Sequence, residues 1–239
     1  MKCYVGCKGW KNPTWSSEFY PGTLHSSEYL SYYSKVFDFT EVDLNNRSLP
    51  AYTNTTSRRP YKFLFKKWAK STPNEFRFAI KIPKHTIQDT IKLGMFLEEL
   101  APLEEKTLAL VIESITILGN NGRDWLDDIL RTCTYHGFSV AVEFKHPSWF
   151  QDLTYNLLKR HKAALVWSEF SSRYSYPVVT TDFLYLKINE GNGGEKWISK
   201  LKEKISESNN YYGIARNNNY HEEKEPLDTA VIVVTAQRR

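Results

Sequence analysis

Short apolar strands and amphipathic helices take turns along the whole chain, and this alternation restricts the fold more than any other feature. Strand patterns lie at residues 3–7, 39–44, 75–82, 107–112, 138–144, 163–167, 183–188 and 211–216. They are rich in Val, Ile, Phe and Tyr, and EFRFAIKI at 75–82 alternates cleanly. Helical patterns lie between them at 27–36, 61–70, 93–103, 124–135, 150–161 and 196–206, with a last helix at 226–236. Strand–helix repetition of this kind implies a mostly parallel sheet with helices outside. Seven or eight such units in 239 residues predict an α/β fold, a TIM-type (β/α) barrel forming one domain over the chain. A doubly wound open sheet is the competing architecture, but no glycine-rich phosphate loop follows the first strand. Residues 168–182 show no clear helix, so one βα unit is expected to be degenerate.

The stretch richest in chemistry is VAVEFKHPSWF at 140–150. It starts as a buried strand and ends in a carboxylate, a cation and an imidazole. In a βα barrel such strand ends converge on one mouth. The same reading applied to each strand gives a ring of candidates: Lys8 and Trp10, Asp43 and Asn45, Lys81, Glu113, then Glu143, Lys145 and His146. Glu169, Lys187, Asn189 and Asn217 complete it.

Parity sorts these residues, because strand neighbours point to opposite faces. Asp43 shares a face with Asn45, and Glu143 shares one with Lys145. Lys81 sits inside an apolar strand. A buried ammonium without a partner costs several kcal/mol, so Lys81 requires a carboxylate, either Asp43 or Glu143. Glu143 then reads in two ways, as a general acid/base or as a buried partner of Lys81 or Lys187. His146 reads as a proton carrier or phosphate ligand, or as a cap on the loop that carries Pro147 and Trp149. Lys81 and Lys187 neutralise an anion or pair with carboxylates, and a Schiff-base role needs a depressed pKa. Trp10, Trp15, Tyr20 and Trp149 offer faces for a base or sugar, or pack the loops over the barrel.

Composition narrows the partners. The net charge is +5 and the pI about 8.9, which admits a small anionic ligand or nucleic acid without demanding either. The basic groups are short and dispersed, as on a solvated surface. Three cysteines, Cys3, Cys7 and Cys133, argue against a disulfide scaffold and for a reducing compartment. On one extended strand Cys3 and Cys7 stand roughly 13 Å apart, beyond the reach of a bridge. The first residues lack a signal-peptide core, and no apolar run reaches the ~20 residues that span a bilayer. The expectation is a cytoplasmic protein with no membrane partner. A divalent metal would have to draw on Asp43, Glu143, Glu169 and His146, and no recognised ligand spacing supports one. A divalent metal is admitted by these residues but not indicated, and the sequence names no other cofactor.

A set of short motifs, in order, carries a resemblance. They are Gly9–Trp10, Trp15, Phe19–Tyr20–Pro21, Tyr29–Leu30 with Tyr33 and Phe37, and Val42–Asp43–Leu44–Asn45 with Leu49–Pro50. Trp68, Thr72–Pro73 and Phe76–Arg77–Phe78–Ala79 with Lys81 and Pro83 follow. Glu143–Phe144 and His146–Pro147–Ser148–Trp149–Phe150 close the set and are its most specific part. In this order the chain resembles the YecE-like family, known as a domain of unknown function. The resemblance covers nearly the whole chain and implies a TIM-type barrel with no established activity. The chain departs from the family pattern at several strand ends: Asp43 replaces the usual Glu, Ile87–Gln88 the usual Thr-His, and Lys187–Ile188–Asn189–Glu190 the usual Arg-Leu-His-Gly.

The expected function is that of a barrel enzyme, of hydrolase or lyase type, acting on a phosphorylated or nucleic-acid-derived ligand. Asp43, Glu143 and His146 would be catalytic, and Lys81, Asn45, Lys187, Trp10 and Asn217 would bind the ligand. The alternatives are a non-catalytic nucleic-acid-binding module and a degenerate barrel that serves as a scaffold for a protein partner.

Overall fold

Eight parallel strands close into a barrel in sequence order in the computed structural model. The structure describes residues 3–11, 15, 19–44, 61–114, 118–119, 121–168, 171–174, 178–189 and 230–236. The strands are β1 (Cys3–Lys8), β2 (Phe39–Asp43), β3 (Arg77–Lys81), β4 (Thr107–Ser114), β5 (Val140–Phe144), β6 (Ala164–Ser168), β7 (Phe183–Asn189) and β8 (Ala230–Ala236). The described helices are α1 (Tyr29–Tyr33), α2 (Tyr61–Ser71), α3 (Thr90–Glu99), α4 (Gly122–Tyr135) and α5 (Asp152–Arg160). β8 closes the ring by pairing with β7 on one side, Leu184 opposite Val231, and with β1 on the other, Tyr4 opposite Ile232.

The first seven strands and these helices fall where the periodicity puts them. The end of the chain does not. Residues 230–236 form β8, where a helix was expected. The run Val231–Ile232–Val233–Val234 explains this, since adjacent β-branched side chains restrict χ1 and favour the extended backbone. The strand and helix expected at 211–216 and 196–206 lie outside the described residues. Between β6 and β7 the described residues hold one short 3-10 turn, Ser171–Arg173, and no α-helix, as a degenerate unit requires. The helix expected at 93–103 starts earlier and stops at Glu99. It tightens into a 3-10 turn at Ala101–Lys106, where Pro102 cannot donate to an α-helical ladder.

Strand alternation divides the apolar residues into two cores. Outside the sheet, one core packs Phe78, Ile80, Ile112, Val142 and Leu165 against Leu64, Trp68, Phe96, Leu130 and Leu158 of the helices. Inside, small residues face large ones. Ala79, Ala109, Ala141 and Ala164 on β3–β6 leave space that Tyr4, Phe39, Phe183 and Tyr185 fill from β1, β2 and β7. Lys106 is spent on the scaffold: its Nζ donates to the carbonyls of Ala69 (2.9 Å), Thr72 (2.8 Å) and Pro73 (2.9 Å), where α2 ends.

Barrel closure also depends on one glycine. Gly6 of β1 pairs with Phe39 of β2, and a Cβ at position 6 would lie 1.8 Å from the Phe39 carbonyl oxygen. A collision with backbone cannot be relieved by turning a side chain. Gly6→Ala is expected to cost about 1–3 kcal/mol, read as a lower urea midpoint. An unchanged midpoint would mean that β1 shifts along β2 without loss.

Candidate functional site

The inner apolar core stops abruptly towards the C-terminal ends of the strands. One inward position further on, Ala79 gives way to Lys81, Val111 to Glu113, Ala141 to Glu143 and Tyr185 to Lys187. On β2 the change comes earlier, Phe39 being followed inward by Glu41 and then Asp43. Five strands therefore deliver four carboxylates and two ammonium groups to the C-terminal end of the barrel.

Each of the two lysines is clasped by two carboxylates. Lys187 Nζ lies 2.9 Å from Glu41 and 2.5 Å from Glu143. Glu41 also accepts a 2.6 Å hydrogen bond from the Tyr185 hydroxyl, and Glu143 pairs with Lys145 as well. Lys81 Nζ lies 3.1 Å from Asp43 and 2.6 Å from Glu113. Lys8 approaches Asp43 at 3.4 Å, and Lys84 approaches Glu113 at 4.0 Å. Glu113 and Glu143 stand side by side in the β4–β5 register, so the two groups form one belt.

Electrostatics fixes the charge state of this belt. Burial alone would raise the pKa of Glu143, but Lys187 and Lys145 outweigh it and hold the carboxyl at about 2. Burial would lower the pKa of Lys187, but Glu41 and Glu143 push it up; Lys81 is raised in the same way by Glu113 and Asp43. Burial and the neighbouring Glu41 raise Tyr185 well above an ordinary phenol. At neutral pH Glu143 is ionised and has no proton to give. Lys81 and Lys187 are charged, which is the reverse of what a Schiff-base nucleophile needs.

The structure thus brings Asp43, Glu143, Lys81 and Lys187 together. Lys81 finds Asp43, one of its two expected partners, and adds Glu113. His146 follows Lys145 at the start of the 3-10 turn Pro147–Trp149, where its Nδ1 accepts from the Ser148 amide (3.2 Å) and lies 2.8 Å from the Ser148 hydroxyl. Trp10 is buried in the layer outside the sheet, edge-on to Trp68 at 5.1 Å, with its carbonyl accepting from the Tyr20 hydroxyl. Trp149 stacks on Phe144 at 4.8 Å. Asn45, Asn217 and Glu169 lie outside the described residues, and Asn189 is described only as backbone of β7. Among the described residues no group of His, Cys, Asp and Glu is arranged to hold a metal ion. Cys7 and Cys133 are buried thiols, with Cys133 pushed up to about 12 by its burial.

Glu41 is the member that sequence reading passed over. The rule that singles out Lys81 applies to it equally: Glu41 is a charge in an apolar strand, two residues before Asp43 and so on the same face.

Comparison with known proteins bears on both fold and kinship. A DUF72 family protein from Thermotoga maritima MSB8 superposes with a TM-score of 0.70 at 20% identity, over 98% of this chain and 92% of that one. A DUF72 family protein from Enterococcus faecalis V583 does so with a TM-score of 0.65 at 18% identity, over 100% and 91%. At these identities the likeness concerns the fold. Among curated proteins nothing matches. No helix among the described residues is long and apolar enough to cross a membrane. The family model for the protein of unknown function DUF72 matches residues 4–234, nearly the whole barrel, and the chain belongs to that family.

Proposed function

We propose that the chain is a barrel enzyme working at its C-terminal mouth on a small anionic ligand, phosphorylated or derived from nucleic acid. The observation that carries this reading is the belt of buried charge contributed by five strands. A barrel does not need such a belt for stability, because well-packed apolar residues in place of buried ion pairs are often neutral or stabilising. In barrels of this kind the C-terminal face is where chemistry is done. Within the belt, Asp43 keeps 14% of its side chain exposed against 4% for Glu143. Asp43, together with Glu113 at 16%, is therefore a carboxylate a ligand can reach, and Glu143 acts through Lys187 and Lys145. Proton transfer by His146 would use Nε2, since Nδ1 serves the loop.

A second reading, a nucleic-acid-binding module without catalysis, is favoured by a different surface. Helix α2 exposes Lys62, Lys66, Lys67 and Lys70, none in an ion pair among the described residues, beside Phe63 at 67% exposure. Binding there would weaken steeply with salt.

A thermal-shift screen separates the two. Sugar phosphates, nucleotides and short nucleic acids are compared at low and high salt, and a ligand at about 100 times its Kd adds about 2.7 kcal/mol. The expected result is a shift with one small phosphorylated class, and loss of turnover of that compound in a folded Asp43→Asn protein. A shift with nucleic acid alone, absent at high salt, selects the second reading. Silence from every anion removes both.

A further inference from the structure

We infer that Lys8 and Lys145, not the buried Lys81 and Lys187, hold the ligand, that they do so by leaving Asp43 and Glu143, and that the group they hold is phosphoryl. The inference rests on the reading of the mouth given above and names the ligand class and the residues that seat it.

Two kinds of lysine meet each of these carboxylates. Asp43 is paired inward with Lys81, whose side chain is 7% exposed, and outward with Lys8, which is 48% exposed. Glu143 is paired inward with Lys187 and outward with Lys145, 15% and 34% exposed. The inner lysines are committed. If Lys187 turned towards a ligand, Glu41 and Glu143 would both lose their inner cation in a site closed to water. If Lys81 turned, Asp43 and Glu113 would do the same. The outer lysines can leave at small cost, because each departure leaves behind a carboxylate that is still paired. The lysine of each outer pair is also a third or more exposed, so water replaces part of what it gives up on leaving.

Position adds to this. In an eight-stranded ring, β1 and the end of β5 face each other, so Lys8 and Lys145 approach the mouth from opposite walls. Both are long, flexible stems with a compact charge, suited to swing between an internal carboxylate and an external oxyanion. A phosphoryl group answers such a pair, since its several strong acceptor oxygens take donors from more than one side. Binding also changes the site. Once Lys8 and Lys145 move to the phosphoryl oxygens, Asp43 and Glu143 each have one cation fewer, and both become better proton acceptors only when the ligand is seated.

The test is calorimetric titration of the full chain with pyrophosphate and with inorganic phosphate. The proteins compared are the wild type, Lys8→Met, Lys145→Met, the double variant, and Lys159→Met in the exposed last turn of α5 as a control. Each single change at the mouth should weaken pyrophosphate binding roughly tenfold or more, with cooperative unfolding retained and binding by the control unchanged. Binding that survives intact in the double variant places the anion elsewhere and overturns the inference. So does a double variant that no longer folds, because the outer lysines would then be structural. Absence of phosphate and pyrophosphate binding in the wild type also overturns it. The enzyme reading outlives these results if an uncharged compound is turned over and turnover is lost in Asp43→Asn.

Discussion

Lys187→Met is expected to lower the unfolding free energy by about 3–5 kcal/mol, the range for breaking a buried ion pair by removing one partner. Glu41 is fully buried, with Lys187 as its ammonium partner; among the described residues, what stays is one hydrogen bond from the Tyr185 hydroxyl. Glu143 keeps Lys145, so most of the loss falls on Glu41. Urea unfolding at neutral pH measures the deficit. Adding Glu41→Gln to Lys187→Met removes the stranded charge and should recover much of it. A single variant as stable as the wild type would show that the interior tolerates an uncompensated carboxylate, and the belt would lose its place as the site's organising element.

The second large effect concerns acid. Glu143 titrates at about 2 in the folded protein, against an ordinary 4.5. Because the folded value is the lower one, the unfolded chain takes up the proton first as pH falls. The stabilisation is therefore complete above pH 4.5 and is lost between there and about pH 2. It amounts to about 3 kcal/mol. Among the described residues, the groups facing this carboxyl include Lys187, Lys145, Tyr185 and, in register on β4, Glu113. Glu143→Gln should be less stable at neutral pH and show a flatter decline across that window. An identical slope in the variant would assign the acid limb to other carboxylates. Lys187 works at the opposite end of the scale. Its folded pKa is raised, so its contribution is intact below the ordinary lysine value of 10.5 and fades as pH climbs through the folded one.

The barrel was legible in the sequence because period-two and period-3.6 patterns need no distant information. β8 was not, since a short apolar run flanked by alanines suits either pattern by period, and its β-branched preference is decided for a strand once it pairs with β1 and β7. At the mouth, the requirement that Lys81 find a carboxylate follows from the cost of burying it, and Asp43 lies opposite it in the β2–β3 register. Glu143 was expected as a partner of Lys81 or Lys187 and meets Lys187, whereas Glu41 was hidden, because it reaches Lys187 from across the barrel interior. His146 falls into place locally: Ser148 lies two residues on, close enough to be capped.

The clasp between Lys187 and Glu41 joins residues 146 positions apart, and the one between Tyr185 and Glu41 spans 144. Contacts of such separation cannot form until most of the ring is assembled, because the loop-closure entropy must be overcome first. They belong to the last stage of folding and the first stage of escape from it. Loss of Lys187 should accordingly leave the refolding rate almost untouched and speed up unfolding. The charges that equip the mouth would then also set the lifetime of the closed barrel.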